Sequence, residues 1–256
     1  MSINVICLPG GVAPAAQRYG PLKEVVDGRA ELHLKDHELY RGDAPPADYS
    51  VEMELEAIDR FADSLGLDRF HVVGYSGGGF LSLAYAGTRP RRLLSLAIFE
   101  PARVPGKPTP EEQAATDSLS AQLEGLEGSA FMTAFVRGQL KPGVEAPPSP
   151  PRPAPGMEKR PAGIAAMTRA FTAYSFDRDR LRACKFPVYL GYGDLTSDFE
   201  EVQAAVLARL FADIRIQRFA GVHHFVPPEQ IYTPAHVQAI EELWARSSAA
   251  ELALQK

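Results

Sequence analysis

The stretch best suited to covalent chemistry is Gly74-Tyr75-Ser76-Gly77-Gly78. An apolar, β-branched run, His71-Val72-Val73, enters it, and a small-residue helical pattern with Leu81, Leu83, Ala84 and Ala86 leaves it. Gly-x-Ser-x-Gly between a strand and a helix has the form of a nucleophile elbow. Such a turn is tight and strained, and glycines two residues either side of the serine let the backbones pass closely. The hydroxyl then stands clear of the sheet, with the positive end of the helix beneath it. The spacing alone is ordinary, since a Gly-rich helix start also satisfies it. Its context is what points to chemistry.

Other reactive side chains close the apolar runs further along. Glu100 ends Leu93–Phe99, Asp194 ends Gly191-x-x-Asp194, and the pair His223-His224 follows Ile214–Phe219. In open α/β sheets ligands bind at the carboxyl ends of the strands, where these groups would gather. His33, His37, His71 and His236 lack a motif, and packing or surface roles are expected for each. No His/Cys/Asp cluster has metal-ligand spacing, so neither a metal nor another cofactor is expected. Gly10-Gly11 lacks the Gly-Lys-Ser/Thr ending of a phosphate loop.

The elements that must position these groups alternate. Strands are expected at Ile3–Leu8, Arg29–Leu34, Phe70–Tyr75, Leu93–Phe99, Pro187–Tyr192 and Ile214–Phe219. Helices are expected at Gln17–Val26, at Val51–Leu65 behind the cap residue Ser50, at Gly77–Gly87, at Asp198–Leu210 with Asp198 as its cap, and at Pro234–Leu254. This alternation implies an open, mostly parallel sheet of about six strands with helices on both faces. It breaks at residues 103–180. There Thr109–Arg137 and Ile164–Tyr174 read as helical, and Lys141–Pro161 carries eight prolines and reads as a loop. The expected organisation is a core of residues 1–102 and 181–256 with an inserted helical cap, 103–180, above the catalytic edge.

Composition narrows the classes of function. The chain has 256 residues, 45% of them hydrophobic, and a net charge of -5. It can bury one sizeable core, and it has no long basic run to suit nucleic acid or an anionic membrane. No stretch is apolar enough to span a bilayer, and Met1–Leu8 has no basic n-region. Cys7 and Cys184 fall in or beside apolar runs and read as reduced core thiols. A cytoplasmic monomer or homodimer acting on a small molecule is therefore expected.

With strand–Gly74-x-Ser76-x-Gly78–helix, strand–Gly191-x-x-Asp194 and strand–Gly221-x-x-His224-Phe225, the chain resembles the α/β-hydrolase family. The resemblance covers essentially everything except the insertion, which looks like that family's variable helical cap. It differs in having Pro9-Gly10 where the family often has His-Gly. The resemblance implies Ser76 as nucleophile, His224 as base and Asp194 as the acid that orients the imidazole. The main-chain N–H groups of Gly11 and Gly77 would hold the oxyanion. His223 competes with His224 for the base, and Glu100 competes with Asp194 for the acid. The implied activity is that of a serine hydrolase cleaving a small carboxylic ester or related acyl compound through an acyl-enzyme. C–C, lactone and thioester cleavage or perhydrolysis would use the same triad. A receptor that binds its ligand with little turnover is the alternative from another class.

Overall fold

The computed structural model describes residues 2–146 and 156–254, with backbone alone for 248–254. Its centre is one six-stranded sheet: β1 (Asn4–Leu8), β2 (Glu31–Leu34), β3 (Phe70–Tyr75), β4 (Leu93–Phe99), β5 (Val188–Gly193) and β6 (Ile214–Phe219). The spatial order is β2-β1-β3-β4-β5-β6, and every neighbouring pair is parallel. The open parallel sheet read from the sequence is thus the one observed.

Both faces of the sheet are buried, and the two-residue period of a strand divides its side chains between them. Ile6, Leu8, Val72, Leu96, Ile98, Val188 and Leu190 face one core. Against it pack α2 (Val51–Ser64), α3 (Gly77–Thr88) and α8 (Phe199–Leu210). Val5, Cys7, Val73, Ala97, Phe99 and Tyr189 face the other, covered by α1 (Ala15–Val25), the short α9 (Pro228–Ile231) and α10 (Pro234–Leu254). In α10, Val237, Ile240, Leu243 and Trp244 are all buried, as their helical spacing requires. Ser50 caps α2 by accepting from the Met53 N–H at 3.3 Å. Cys7 and Cys184 are buried free thiols. The edge strand β6 is exposed and charged, with Arg215 paired to Glu242 and Arg218 to Glu201, which discourages edge-to-edge pairing.

Beyond β4 the structure departs from the sequence reading in four places. Thr109–Arg137 is two helices, α4 (Pro110–Leu123) and α5 (Gly128–Gly138), because Gly125 turns the chain at φ 71°. Thr109 and Glu112 form a reciprocal capping box at the start of α4. Arg160 and Pro161 belong to α6 (Arg160–Ala173) rather than to the loop, because a proline in the first helical turn forfeits no hydrogen bond. Of the proline-rich segment, 147–155 lie outside the described residues. Asp198 does not cap α8; its carboxylate pairs with Lys141 at 3.1 Å. A last short helix, α7 (Asp179–Arg182), precedes β5.

The crossing of β1 and α3 sets the position of the elbow. A Cβ on Gly78 would lie 2.2 Å from the carbonyl oxygen of Leu8, and one on Gly74 would lie 2.2 Å from Ser82 Oγ. Gly78→Ala should therefore push α3 off the sheet and lower stability by about 2 kcal/mol or more, as for an overpacked core. Urea unfolding monitored by Trp244 fluorescence measures this; a change below about 0.5 kcal/mol would show that the crossing is not tight.

Candidate active site

Ser76 sits between β3 and α3 at φ 53°, ψ -116°. Its N–H donates to Phe99 O at 3.0 Å, and its carbonyl accepts from Ala102 at 2.9 Å and Phe80 at 3.1 Å. Glu100, at φ 44°, is the other non-glycine residue with positive φ among the described residues. Backbone strain of this kind costs on the order of 1–3 kcal/mol and persists only where surrounding contacts enforce it. Here the two strained residues end adjacent strands.

Ser76 Oγ lies 3.1 Å from His224 Nε2. The loop after β6 brings His224 there, and Tyr75 fixes it: the two rings stack with centroids 5.0 Å apart, and the Tyr75 hydroxyl donates to His224 O. Arg18 in turn lies 3.4 Å over the Tyr75 ring. His223 points elsewhere, its Nδ1 accepting from the Phe225 N–H at 3.1 Å.

The carboxylate that meets His224 is not Asp194. Glu100 Oε2 lies 2.8 Å from His224 Nδ1. Glu100 Oε1 accepts from the Gly193 N–H at 2.8 Å and the Thr196 hydroxyl at 2.5 Å. Burial by itself would raise the Glu100 carboxyl, but hydrogen bonding and charge from His224, with the Thr196 and Gly193 donors, hold it below the usual range. Asp194 instead accepts from the Gly221 N–H at 2.8 Å, bracing the turn at the start of the histidine loop. The expectation for Asp194 is corrected on this geometry: β4, not β5, neighbours the serine strand β3, and its terminal carboxylate has first access to the imidazole. Thr196 belongs to no motif and Tyr75 fills a variable position of Gly-x-Ser-x-Gly, so the sequence reading gave neither a role.

A second carboxyl lies behind this cluster. Glu200 is 3% exposed and accepts from Gln203 Nε2 at 3.1 Å. Burial, and then the charge of Glu100, push its carboxyl well up from the usual range.

The two glycines expected to donate to an oxyanion lie side by side, since a Cβ on Gly77 would be 3.7 Å from Gly11 N. Gly77 begins α3, where helix geometry provides no partner for its N–H. The Gly11 loop is held from behind. Its carbonyl accepts from the Tyr40 hydroxyl at 2.7 Å and Arg160 at 3.3 Å, while Pro9 O is bonded by His37 at 2.7 Å and by the Gly78 N–H at 2.9 Å.

A cavity of about 260 Å³ opens on Ser76. Its walls come from α4, α5 and α6, with Leu119, Phe135, Thr168 and Phe171 among them. α6 reaches the elbow itself: Phe171 stacks on Phe80 at 3.8 Å, and Met167 Sδ would lie 2.6 Å from a Cβ on Gly77. A larger space of about 400 Å³, between Pro45–Tyr49 and the far side of α6, does not include Ser76.

The family model described as alpha/beta hydrolase fold matches residues 33–226. The chain belongs to this family. Over 101 residues it is 32% identical to the Caulobacter segnis protein named "Putative carbamate hydrolase RutD". That match spans 37% of each chain, little more than a third of the relative's length. An alpha/beta hydrolase from Sphaerobacter thermophilus superposes with TM-score 0.66 at 26% identity over 93% of both chains. A hydrolase from Pseudomonas aeruginosa, with TM-score 0.68 and 16% identity over 94% of this chain and 89% of its own, shares the fold. Among the described residues no helix is long and apolar enough to cross a membrane.

The burial of Glu200 has a measurable consequence. A carboxyl raised in the folded state stays protonated there after the unfolded chain has released its proton, above about pH 4.3. Its ionisation therefore favours unfolding as pH rises. Glu200→Gln removes that loss, so the variant should gain stability relative to the parent between pH 5 and pH 8. Urea midpoints at both pH values test it, and a gap that does not move with pH would mean Glu200 is ionised in the fold.

Proposed function

We propose that this chain is a serine hydrolase of small carboxylic esters or related acyl compounds, working through an acyl-enzyme. The observation that carries the reading is the relay of distances, Ser76 Oγ to His224 Nε2 at 3.1 Å and His224 Nδ1 to Glu100 Oε2 at 2.8 Å. Ser76 attacks the acyl carbon as His224 takes its proton, and Glu100 stabilises the imidazolium. The N–H groups of Gly11 and Gly77 receive the oxyanion; one such donor is worth about 3 kcal/mol of barrier. Collapse expels the leaving group, which takes the proton from His224. Water then repeats the sequence on the acyl-serine and restores the enzyme.

The resemblance to a protein named for carbamate hydrolysis is consistent with an acyl carbon as the target, and it places carbamates beside esters as compounds to assay. Residues 103–180 act in this reading as the cap: α4, α5 and α6 roof the cavity and limit the size of the substrate.

Ser76→Ala should abolish both turnover of activated esters and covalent labelling by a fluorophosphonate, with the melting curve retained. Peptide mass spectrometry finding the label on another serine would overturn the nucleophile. Glu100→Gln should lower the single-turnover acylation rate on the order of a hundredfold or more, through loss of imidazolium stabilisation. Asp194→Asn, whose side-chain oxygen can still accept from Gly221, should cost far less. The opposite ranking would return the acid to β5.

A further inference from the structure

Two arginines stand near one buried carboxylate above the active site, and only one of them is neutralised. Arg178 grips Glu112 with both guanidinium arms, Nη1 to Oε2 at 2.8 Å and Nη2 to Oε1 at 2.9 Å. It is locked there by Pro105 O at 3.0 Å and Val104 O at 3.2 Å. Glu112 also accepts from the Thr109 N–H at 2.7 Å, so its oxygens are committed. Arg103, in the segment that leads from β4 to α4, has one side-chain hydrogen bond, Nη1 to the neutral Thr172 hydroxyl at 2.9 Å. No ion pair with Arg103 is found among the described residues. Burial first, and repulsion from Arg178, lower its proton affinity, with Glu112 acting in the opposite sense.

Arg103 lines the same cavity as Ser76. The other lining residues are apolar or neutral, with Thr116, Gln122, Gln139 and Ser197 supplying hydrogen-bonding groups and no aspartate or glutamate among them. The space that receives the substrate is therefore apolar and hydroxyl-lined, with one half-buried positive charge. A guanidinium keeps its charge at any ordinary pH and pairs with a carboxylate through two parallel N–H donors.

We propose that Arg103 anchors a carboxylate carried by the substrate, so that the compounds cleaved at Ser76 are anionic acyl compounds such as half-esters of dicarboxylic acids. This rests on the serine-hydrolase reading of the site. It adds a specificity-determining residue, placed on the loop that follows Glu100, to the residues that perform the chemistry.

The test compares p-nitrophenyl monoesters of glutarate and adipate with their neutral carboxamide isosteres, and acetate esters of hydroxybenzoates with those of the matching hydroxybenzamides. These series put the charge on the acyl side and on the leaving-group side in turn, each rate being corrected for buffer hydrolysis. The unmodified protein should favour the carboxylate in at least one series by on the order of tenfold or more in kcat/KM, mostly through KM, and the preference should shrink as salt is raised. Arg103→Gln should bring the carboxylate-to-carboxamide ratio to about one, and Arg103→Lys, which keeps a charge without the planar fork, should reduce it several-fold. No preference in either series, or a preference unchanged in Arg103→Lys or Arg103→Gln, overturns the assignment. Turnover of the neutral esters without a carboxylate preference leaves the hydrolase reading standing and removes this one. Absence of turnover and of fluorophosphonate labelling removes both.

Discussion

A carbonyl oxygen on β1 and the backbone of α3 occupy nearly the same place, and the site depends on that contact. Leu8 O comes so near Gly78 that a Cβ there would lie 2.2 Å away, and the next carbonyl, Pro9 O, accepts the Gly78 N–H at 2.9 Å. This crossing drives the first turn of α3 down against the sheet, and Ser76 is left at the top of the bend in a left-handed conformation. It also brings the Gly11 loop beside the Gly77 amide. Tyr40, Arg160 and His37 then hold that loop from the far side, so its main-chain donors are oriented before any ligand arrives.

The electrostatics of the cluster follow from how two buried carboxyls share one region. Glu100 has an imidazole, a hydroxyl and a main-chain N–H around it and stays ionised. Glu200 has one amide donor from Gln203 and faces the charge of Glu100, so its proton affinity is raised. Two like charges in a dry interior would be costly, and the difference in hydrogen bonding decides which carboxyl carries the charge. Asp194 remains outside this balance, yet it supports the same loop through Gly221.

Above the sheet the same principle selects between cations. Glu112 can neutralise one guanidinium with good bidentate geometry, and Arg178 takes it. Arg103 is left with a hydroxyl partner at the wall of the cavity that opens on Ser76. α6 completes that wall through Thr168 and Phe171, and its Met167 packs against the elbow at Gly77. The cavity wall and the support of the elbow therefore share one helix.

Much of this was legible in the chain itself, because the information is local. The continuous apolar run Val5, Ile6, Cys7 and Leu8, the helical spacing of Val237, Ile240, Leu243 and Trp244, and the Gly-x-Ser-x-Gly turn are each signals within one element. Those signals were enough for the parallel sheet of six strands and for the strand–helix turn that carries Ser76. They misplaced the start of α6, because a proline ends most helical patterns but suits a first turn, and they merged α4 with α5 across Gly125. The choice between Glu100 and Asp194 lay beyond them. Both residues end apolar runs at the same edge of the sheet. Which one meets the imidazole depends on β4 lying beside β3 and on the left-handed turn of Glu100, and which arginine pairs with Glu112 depends on segments packed from distant parts of the chain. Spatial neighbours such as these leave no periodicity in the sequence, so the tertiary structure alone sets Glu100 beside His224 and leaves Arg103 outside any ion pair among the described residues.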